Sequence, residues 1–277
     1  MVNAIKLVAS DLDGTLLNAQ HDISVVTRET LQALHQQHYR FVFSTGRHHI
    51  DVASIRQKTG IPAYMVTSNG ACIHSPDNQK LAEHYLPPHL VQAIIDVVKT
   101  DPEVYIHLYQ EQRWLLNQED PLIKAFNRQS GFMYDTFSTN DAPTQRIYKV
   151  FFTHKQRHPE AMIKHEQALR QVFQDQLSVV FSTPWCLEVM AKGVSKGQAL
   201  ATICQHEGIE LSQCMAFGDG MNDQAMLEAV GQGLIMDNAH QRLKHALPSH
   251  KVIGHHDQDA VADYLQRHLL TTSPQTA

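Results

Sequence analysis

Three times early in the chain a short apolar run stops on a polar cluster that carries a glycine. Residues 5–9 lead into Ser10-Asp11-Leu12-Asp13-Gly14-Thr15-Leu16, residues 40–44 into Thr45-Gly46-Arg47, and residues 63–67 into Ser68-Asn69-Gly70-Ala71. Runs this short and this apolar read as buried strands. Between the first two, Val25, Val26, Thr30, Leu31 and Leu34 recur at helical spacing behind Ser24, a good N-cap. A second helix is expected over residues 48–58, stopped by Gly60-Ile61-Pro62. Strand, helix, strand, helix, strand predicts a parallel sheet wrapped by helices, the α/β class.

The pattern is interrupted once. From about residue 83 the texture changes: a helix opens at Pro87-Pro88 and runs to residue 99, β-like runs follow at 104–110 and 113–117, and a helix at 119–129. A strand at 147–153, a long helix at 159–173 and strands at 177–182 and 186–190 complete the segment. Helix pairs among strands that look antiparallel predict an inserted α+β domain. Alternation resumes near Gly193, with a helix capped by Ser195 over 195–207, strands at 213–217, 233–236 and 251–254, and helices at 222–230, 239–246 and 258–270. The expected organisation is a core over residues 1–82 and 188–270, an insertion over 83–187 and a disordered tail over 271–277, with hinges near Ala82-Glu83 and over 188–192.

Composition excludes more than it assigns. With 277 residues, 43% hydrophobic and 18% charged, the chain can bury a sizeable core. A formal charge of -5 and the lack of a basic stripe argue against a nucleic-acid partner. The 19 histidines are scattered without zinc-ligand spacing and are expected mostly on the surface and in loops. Cys72, Cys186, Cys204 and Cys214 form no CxxC, as reduced thiols of a cytoplasmic protein would not. The apolar run before Asp11 is too short for a signal peptide or a membrane span, and no later segment approaches one, so a cytoplasmic protein with no membrane partner is expected.

The chemistry lies where the core strands stop, the usual ligand edge of an open α/β sheet. Side chains in a strand alternate faces, so Asp11 and Asp13 are expected to point the same way, with Leu12 turned opposite. Two carboxylates side by side call for a hard cation such as Mg²⁺, or for a shared proton or a basic partner; an acidic turn closing a strand is the competing explanation. Thr45 and Gly46, at the mouth of a helix, can offer a hydroxyl and N–H groups to an anion, or Thr45 can simply cap that helix. In Gly193-Val194-Ser195-Lys196-Gly197 a lysine opposes the helix dipole, a position favoured only beside an anion and otherwise left to solvent. Gly218-Asp219-Gly220-Met221-Asn222-Asp223 holds more glycines and carboxylates than a plain turn needs. Brought together, Asp11, Asp13 and Asp219 could hold Mg²⁺, while Thr45, Gly46, Lys196 and Asn222 could bind a phosphoryl group. Asp11 would attack phosphorus and Asp13 would serve as acid and then base.

The set DLDGTL, STGR, GVSKG and GDGMND resembles, motif by motif and in order, the haloacid dehalogenase superfamily of phosphohydrolases. The place and length of the insertion resemble its Cof-type branch, whose Rossmann-like core carries a large α+β cap. The resemblance implies that Asp11 is the nucleophile and a Mg²⁺ ligand, and that Asp13 is the acid/base with its backbone carbonyl on the metal. It implies phosphate contacts from Leu12 (through its backbone), Thr45, Gly46, Lys196 and Asn222, a metal ligand in Asp219 and support for the metal shell from Asp223. Ser44 stands where the family often has a small apolar residue. Arg47, Asn69 and Glu188, with Tyr105, His107, Tyr109, Trp114 and Trp185 of the insertion, are candidates to touch the leaving group. FVFSTGRHH, TSNGA, CLEVMAKGVSKG and IMDNAHQRLK resemble a subgroup that acts on pyridoxal phosphate and sugar phosphates. The implied activity is Mg²⁺-dependent hydrolysis of a small phosphate ester. A phosphomutase using the same aspartyl phosphate, and a binding protein without turnover, are the alternatives.

Overall fold

The computed structural model describes residues 4–126 and 131–270, so the expected tail and the end of the helix expected at 119–129 lie outside the described residues. The alternating first stretch forms β1 (Leu7–Ser10), α1 (Val25–Gln36), β2 (Arg40–Ser44), α2 (His49–Thr59) and β3 (Tyr64–Thr67). Ser24 caps α1 as the sequence indicated, its hydroxyl accepting the Thr27 N–H at 2.9 Å, a contact of about 1 kcal/mol. A hairpin absent from the sequence reading follows, β4 (Cys72–His74) and β5 (Lys80–Glu83). It adds to β3 in antiparallel sense and extends the same sheet.

The inserted segment folds as α3 (Pro88–Val98), β6 (Val104–Gln110), β7 (Trp114–Leu116), α4 (Pro121–Phe126), β8 (Tyr134–Thr136), β9 (Ile147–His154), α5 (Pro159–Phe173), β10 (Leu177–Thr183) and β11 (Cys186–Ala191). Its strands make a separate sheet in the order β10-β11-β9-β6-β7-β8. The expected boundary at residue 187 falls inside β11, which pairs with β9 and β10 through Val189 and beyond, so Glu188 belongs to this second sheet rather than to the core. The chain then returns as α6 (Lys196–Glu207), β12 (Cys214–Gly218), α7 (Gln224–Ala229), β13 (Gln232–Ile235), α8 (Gln241–Ala246), β14 (Lys251–Val252) and α9 (Ala260–His268).

The larger sheet runs β14-β13-β12-β1-β2-β3-β4-β5 and is parallel from β14 to β3. Its alternate residues feed two cores. Val8, Phe41, Phe43 and Met215 pack with Leu31, Leu34, Val52 and Val261 of α1, α2 and α9. Leu7, Ala9, Val42 and Ala216 pack with Leu200, Ile203, Leu227 and Leu243 of α6, α7 and α8. The second sheet covers one face with α3 and α5, through Val91, Ile95, Met162 and Leu169. Its other face is aromatic, with Trp114, Phe132 and Phe151, and meets Ile50 of α2. No helix among the described residues is long and apolar enough to cross a membrane.

Candidate active site

Strand register builds the site. Ser10, the last residue of β1, lies level with Phe43 of β2 and Phe217 of β12. The residues that follow each strand, Asp11, Thr45 and Asp219, therefore emerge side by side at one edge of the sheet. α6 starts at the same edge behind Ser195, whose hydroxyl accepts the Gln198 N–H at 3.1 Å.

Lys196, in the first turn of α6, is fully buried. Its ammonium donates to Asp11 Oδ1 at 2.7 Å and Asp223 Oδ1 at 2.6 Å. The two carboxylates offset both the unfavourable dipole and the desolvation of the amine. Burial alone would lower the lysine's pKa, but Asp11 and Asp223 hold it above its ordinary range. Asp223 is fixed on its other side, where Oδ2 accepts the N–H groups of Asp219 and Gly220, each at 2.9 Å. Asp219 Oδ1 accepts the Thr15 hydroxyl at 3.0 Å. The loop that brings Thr15 there turns at Gly14, with φ +75°, where a Cβ would lie 2.4 Å from Asp219 Oδ2. Only glycine permits that approach.

One carboxylate oxygen each from Asp11, Asp219 and Asp223 lie within 4.8 Å of one another. Three carboxylates thus face a single ammonium. Burial, with Asp223 adding to it and Lys196 opposing, pushes Asp11 up to about 7. Burial and the charges of Asp11 and Asp223 push Asp219 well above the usual carboxylate range. An oxygen-only donor set with excess negative charge is what a hard divalent cation requires, so these three residues fit Mg²⁺.

Asp13 is not the third member of this group, as the strand alternation led us to expect. The strand ends at Ser10, and residues 12–16 coil into a turn broken at Asp13 and Gly14, so Asp11 and Asp13 do not share a face. The Asp13 carboxylate instead takes a fork from Arg47, Nε to Oδ2 and Nη2 to Oδ1 both at 2.6 Å, and pairs with His21 at 2.9 Å. Burial works against ionisation there, but Arg47 and His21 prevail and hold the carboxyl well below its usual range. Asp223, to which the resemblance gives a supporting role, stands beside Asp11 and Asp219 with one oxygen on Lys196 and the other on the N–H groups of Asp219 and Gly220. Arg47 donates to Asp13 and, at 2.8 Å, to Asp51.

The remaining predicted residues converge. Leu12 follows Asp11 directly, with its carbonyl accepting the Leu17 N–H. Thr45 is buried, and its hydroxyl oxygen accepts the Arg47 N–H at 3.1 Å. Ser44 Oγ is buried and has no hydrogen-bond partner among the described residues. Asn222 donates to Asn69 Oδ1 at 3.0 Å, and Asn69 donates in turn to Glu188 Oε2 at 2.6 Å. The aromatic candidates divide. Trp114 donates its indole N–H to His107, whose other ring nitrogen bonds Thr153, Tyr105 bonds to Asp120, and Trp185 lies against Arg157. Only Tyr109 borders the site, through Lys149. Lys149 itself escaped the sequence reading. It sits in β9, 2% exposed, paired with Glu188 and donating to the Gly46 carbonyl at 2.7 Å. A charged residue in the middle of an apolar strand run was the available signal.

Comparison with known proteins agrees with this geometry. The haloacid dehalogenase-like hydrolase family matches residues 8–265. A Haemophilus influenzae protein named as a candidate phosphatase is 40% identical over 262 residues, covering 94% of this chain and 96% of its own. The HMP-PP phosphatase of Cronobacter sakazakii is 36% identical over 260 residues, covering 94% of each chain. A haloacid dehalogenase-like hydrolase from B. subtilis superposes with a TM-score of 0.80 at 26% identity, over 96% of this chain and all of that one. With the family matched from β1 to α9 and the motif residues gathered at one sheet edge, the chain belongs to the haloacid dehalogenase-like hydrolases, as a phosphatase of the Cof type.

Proposed function

We propose that this phosphatase hydrolyses a small phosphorylated metabolite, pyridoxal 5′-phosphate or a sugar phosphate, in a Mg²⁺-dependent reaction through an aspartyl phosphate on Asp11. The observation that carries the chemistry is the group of buried Asp11 and Asp223 and half-buried Asp219 beside Lys196. Asp11, Asp219 and the backbone carbonyl of Asp13 would hold the Mg²⁺ ion, with Asp223 in support, and the ion when bound neutralises charge on the phosphoryl oxygens.

Asp11 attacks phosphorus in line, its new P–O bond forming as the bond to the leaving oxygen breaks. Lys196, already on Asp11 Oδ1, balances charge on the nucleophile and the phosphoryl group. The Thr45 hydroxyl, the Asn222 amide and the backbone at Leu12 and Gly46 provide donors for the non-bridging oxygens. Asp13 supplies the proton to the leaving alcohol and later takes one from the attacking water, which releases inorganic phosphate and restores Asp11. Because Arg47 and His21 hold Asp13 ionised in this conformation, it is ready as a base; its turn as an acid requires the Arg47 fork to let go.

The second sheet layer is the cap in this reading, its aromatic face turned toward the phosphate edge. Support for a ring-bearing or sugar leaving group comes from Tyr109 and Phe151 beside Lys149, and from the 36% identity to a protein named as an HMP-PP phosphatase. A phosphate-release screen with pyridoxal 5′-phosphate, sugar phosphates and nucleotides in Mg²⁺ tests the whole proposal. If pyridoxal 5′-phosphate and the sugar phosphates rank among the poorest esters, the substrate assignment falls. If an isomeric phosphate accumulates in place of inorganic phosphate, the protein is a mutase. If esters bind tightly and none is turned over, it is a binding protein.

A further inference from the structure

We infer that Lys149 is a positioning residue, through which the second sheet sets the donor geometry of the phosphate cradle on the first; the inference rests on the phosphatase reading above. Lys149 projects from β9 with its ammonium flanked by the rings of Tyr109 and Phe151, 4.9 and 4.4 Å from their centroids. A buried ammonium has three N–H groups to place and no acceptor role to play. Its oxygen partners are the Glu188 carboxylate and the carbonyl of Gly46.

The carbonyl contact reaches Thr45. The Gly46 C=O and the Arg47 N–H belong to one planar trans peptide and point to opposite sides of it. Pinning the carbonyl on Lys149 therefore directs the N–H away, where it donates to Thr45 Oγ1 at 3.1 Å. With that oxygen accepting an N–H, the hydroxyl proton of Thr45 is left to point elsewhere, toward a phosphoryl oxygen. The loop has no side chain to interfere: a Cβ on Gly46 would lie 3.1 Å from Glu188 Oε1.

The carboxylate side reaches Asn222. Glu188 can only accept, so the amide nitrogen of Asn69 must face it, and the amide oxygen of Asn69 is left to accept from Asn222. Asn69 is held in place by its left-handed backbone, φ 58°, and by its N–H on the Thr45 carbonyl. Two donors of the cradle, the Thr45 hydroxyl and the Asn222 amide, are thus each oriented by a short chain of hydrogen bonds that starts at the Lys149–Glu188 pair.

A residue that positions the cradle affects every ester alike, whereas a residue that touches the leaving group affects some esters and not others. The test is Lys149→Met in the full chain with Mg²⁺, assayed on p-nitrophenyl phosphate and on pyridoxal 5′-phosphate, with inorganic phosphate as a competitive inhibitor. We expect kcat to fall by the same factor on both esters, about tenfold to a hundredfold for a displaced donor, with inhibition by inorganic phosphate weakened in parallel. Lys149→Met/Glu188→Gln, which leaves no buried unpaired charge and keeps an acceptor for Asn69, should show the same loss while melting as a folded protein. A loss confined to one ester, or kcat unchanged on both, overturns the inference. Wild-type protein that releases phosphate from neither ester would instead overturn the phosphatase reading itself.

Discussion

Two buried ionic groups lie close together where the sheets meet, and their charges are counted differently. At the edge of the larger sheet Asp11 and Asp223 share one ammonium, Lys196, and Asp219 adds a third carboxylate beside them. Where the second sheet rests on that edge, Lys149 faces one carboxylate, Glu188, and the remaining partners are amides and a backbone carbonyl. The first group sets three carboxyl groups against one amine, and burial first, with the neighbouring carboxylates adding to it, raises the pKa values of Asp11 and Asp219. The second is balanced. An excess that the fold does not neutralise is held in readiness for something that arrives, a cation and a phosphoryl group. A balanced pair needs nothing further and can serve only to hold its neighbours in place.

The sharpest way to break the comparison is Asp11→Asn. The amide keeps an oxygen for Lys196 but cannot form the phosphoenzyme, so phosphate release should fall on the order of 10⁴-fold or more. Steady-state turnover on p-nitrophenyl phosphate measures it, and a variant within tenfold of wild type would remove Asp11 from the covalent step. Lys196→Met should come next. Its loss leaves Asp11 and Asp223 facing each other in a dry site, which costs about 3–5 kcal/mol. Urea midpoints in chelator read that loss. Added Mg²⁺ should recover part of it, since at a hundred times its Kd a bound ligand contributes about 2.7 kcal/mol. Recovery at the unbalanced group and none in Lys149→Met would confirm that the two groups differ as their charges indicate; equal recovery in both would erase the distinction.

The charge excess also has a pH signature. Burial above all pushes the Asp11 carboxyl from 3.8 to about 7. Between those values the folded chain keeps a proton that the unfolded chain has released, so without metal this group makes stability fall as pH rises through the window. Asparagine does not titrate. In chelator, the stability of Asp11→Asn relative to wild type should therefore climb from about pH 4 to about pH 7. His48 and His107, pushed down to about 3 chiefly by burial, bias both proteins in the opposite direction and cancel in the difference. Chemical denaturation of the two proteins across the range provides the measurement; a flat difference would mean that Lys196 alone neutralises the site.

The two groups also differ in how far the sequence betrayed them. Each residue of the catalytic group sits at a strand end or helix start marked by local signals: Gly14 after Asp11, Ser195 before Lys196, the paired glycines around Asp219. The same local signals placed α5 and β2 at their observed bounds and Ser195 as a cap. They failed where structure is too short to have a period, as in the three-residue β4 and β8. They failed again at Asp13, where alternation was extended past the point at which the strand had already turned. Lys149 was passed over for a different reason. Its run, Ile147 to Thr153, reads correctly as a strand, but its partner Glu188 is 39 residues further on and its target, Gly46, lies 103 residues back. No window along the chain contains both ends of such a contact.

The balanced pair yields the smallest expected effect and the most discriminating one. Glu188→Gln alone leaves an ammonium buried against two rings with only neutral oxygens for partners and no counter-charge, and breaking one side of a buried pair costs about 3–5 kcal/mol. Lys149→Met/Glu188→Gln removes both charges, keeps the amide contact to Asn69 and lets the methionine pack against Tyr109 and Phe151. Charge desolvation then no longer has to be offset, and the double variant should lie within about 1 kcal/mol of wild type in denaturant midpoint. The same treatment of the catalytic group has no counterpart, because no single neutral partner can balance three carboxylates and one lysine. A double variant as unstable as Glu188→Gln would show that the pair holds the two sheets together by charge; one near wild type in stability would show that folding does not require the charges and leave orientation of the Gly46 peptide as what they are kept for.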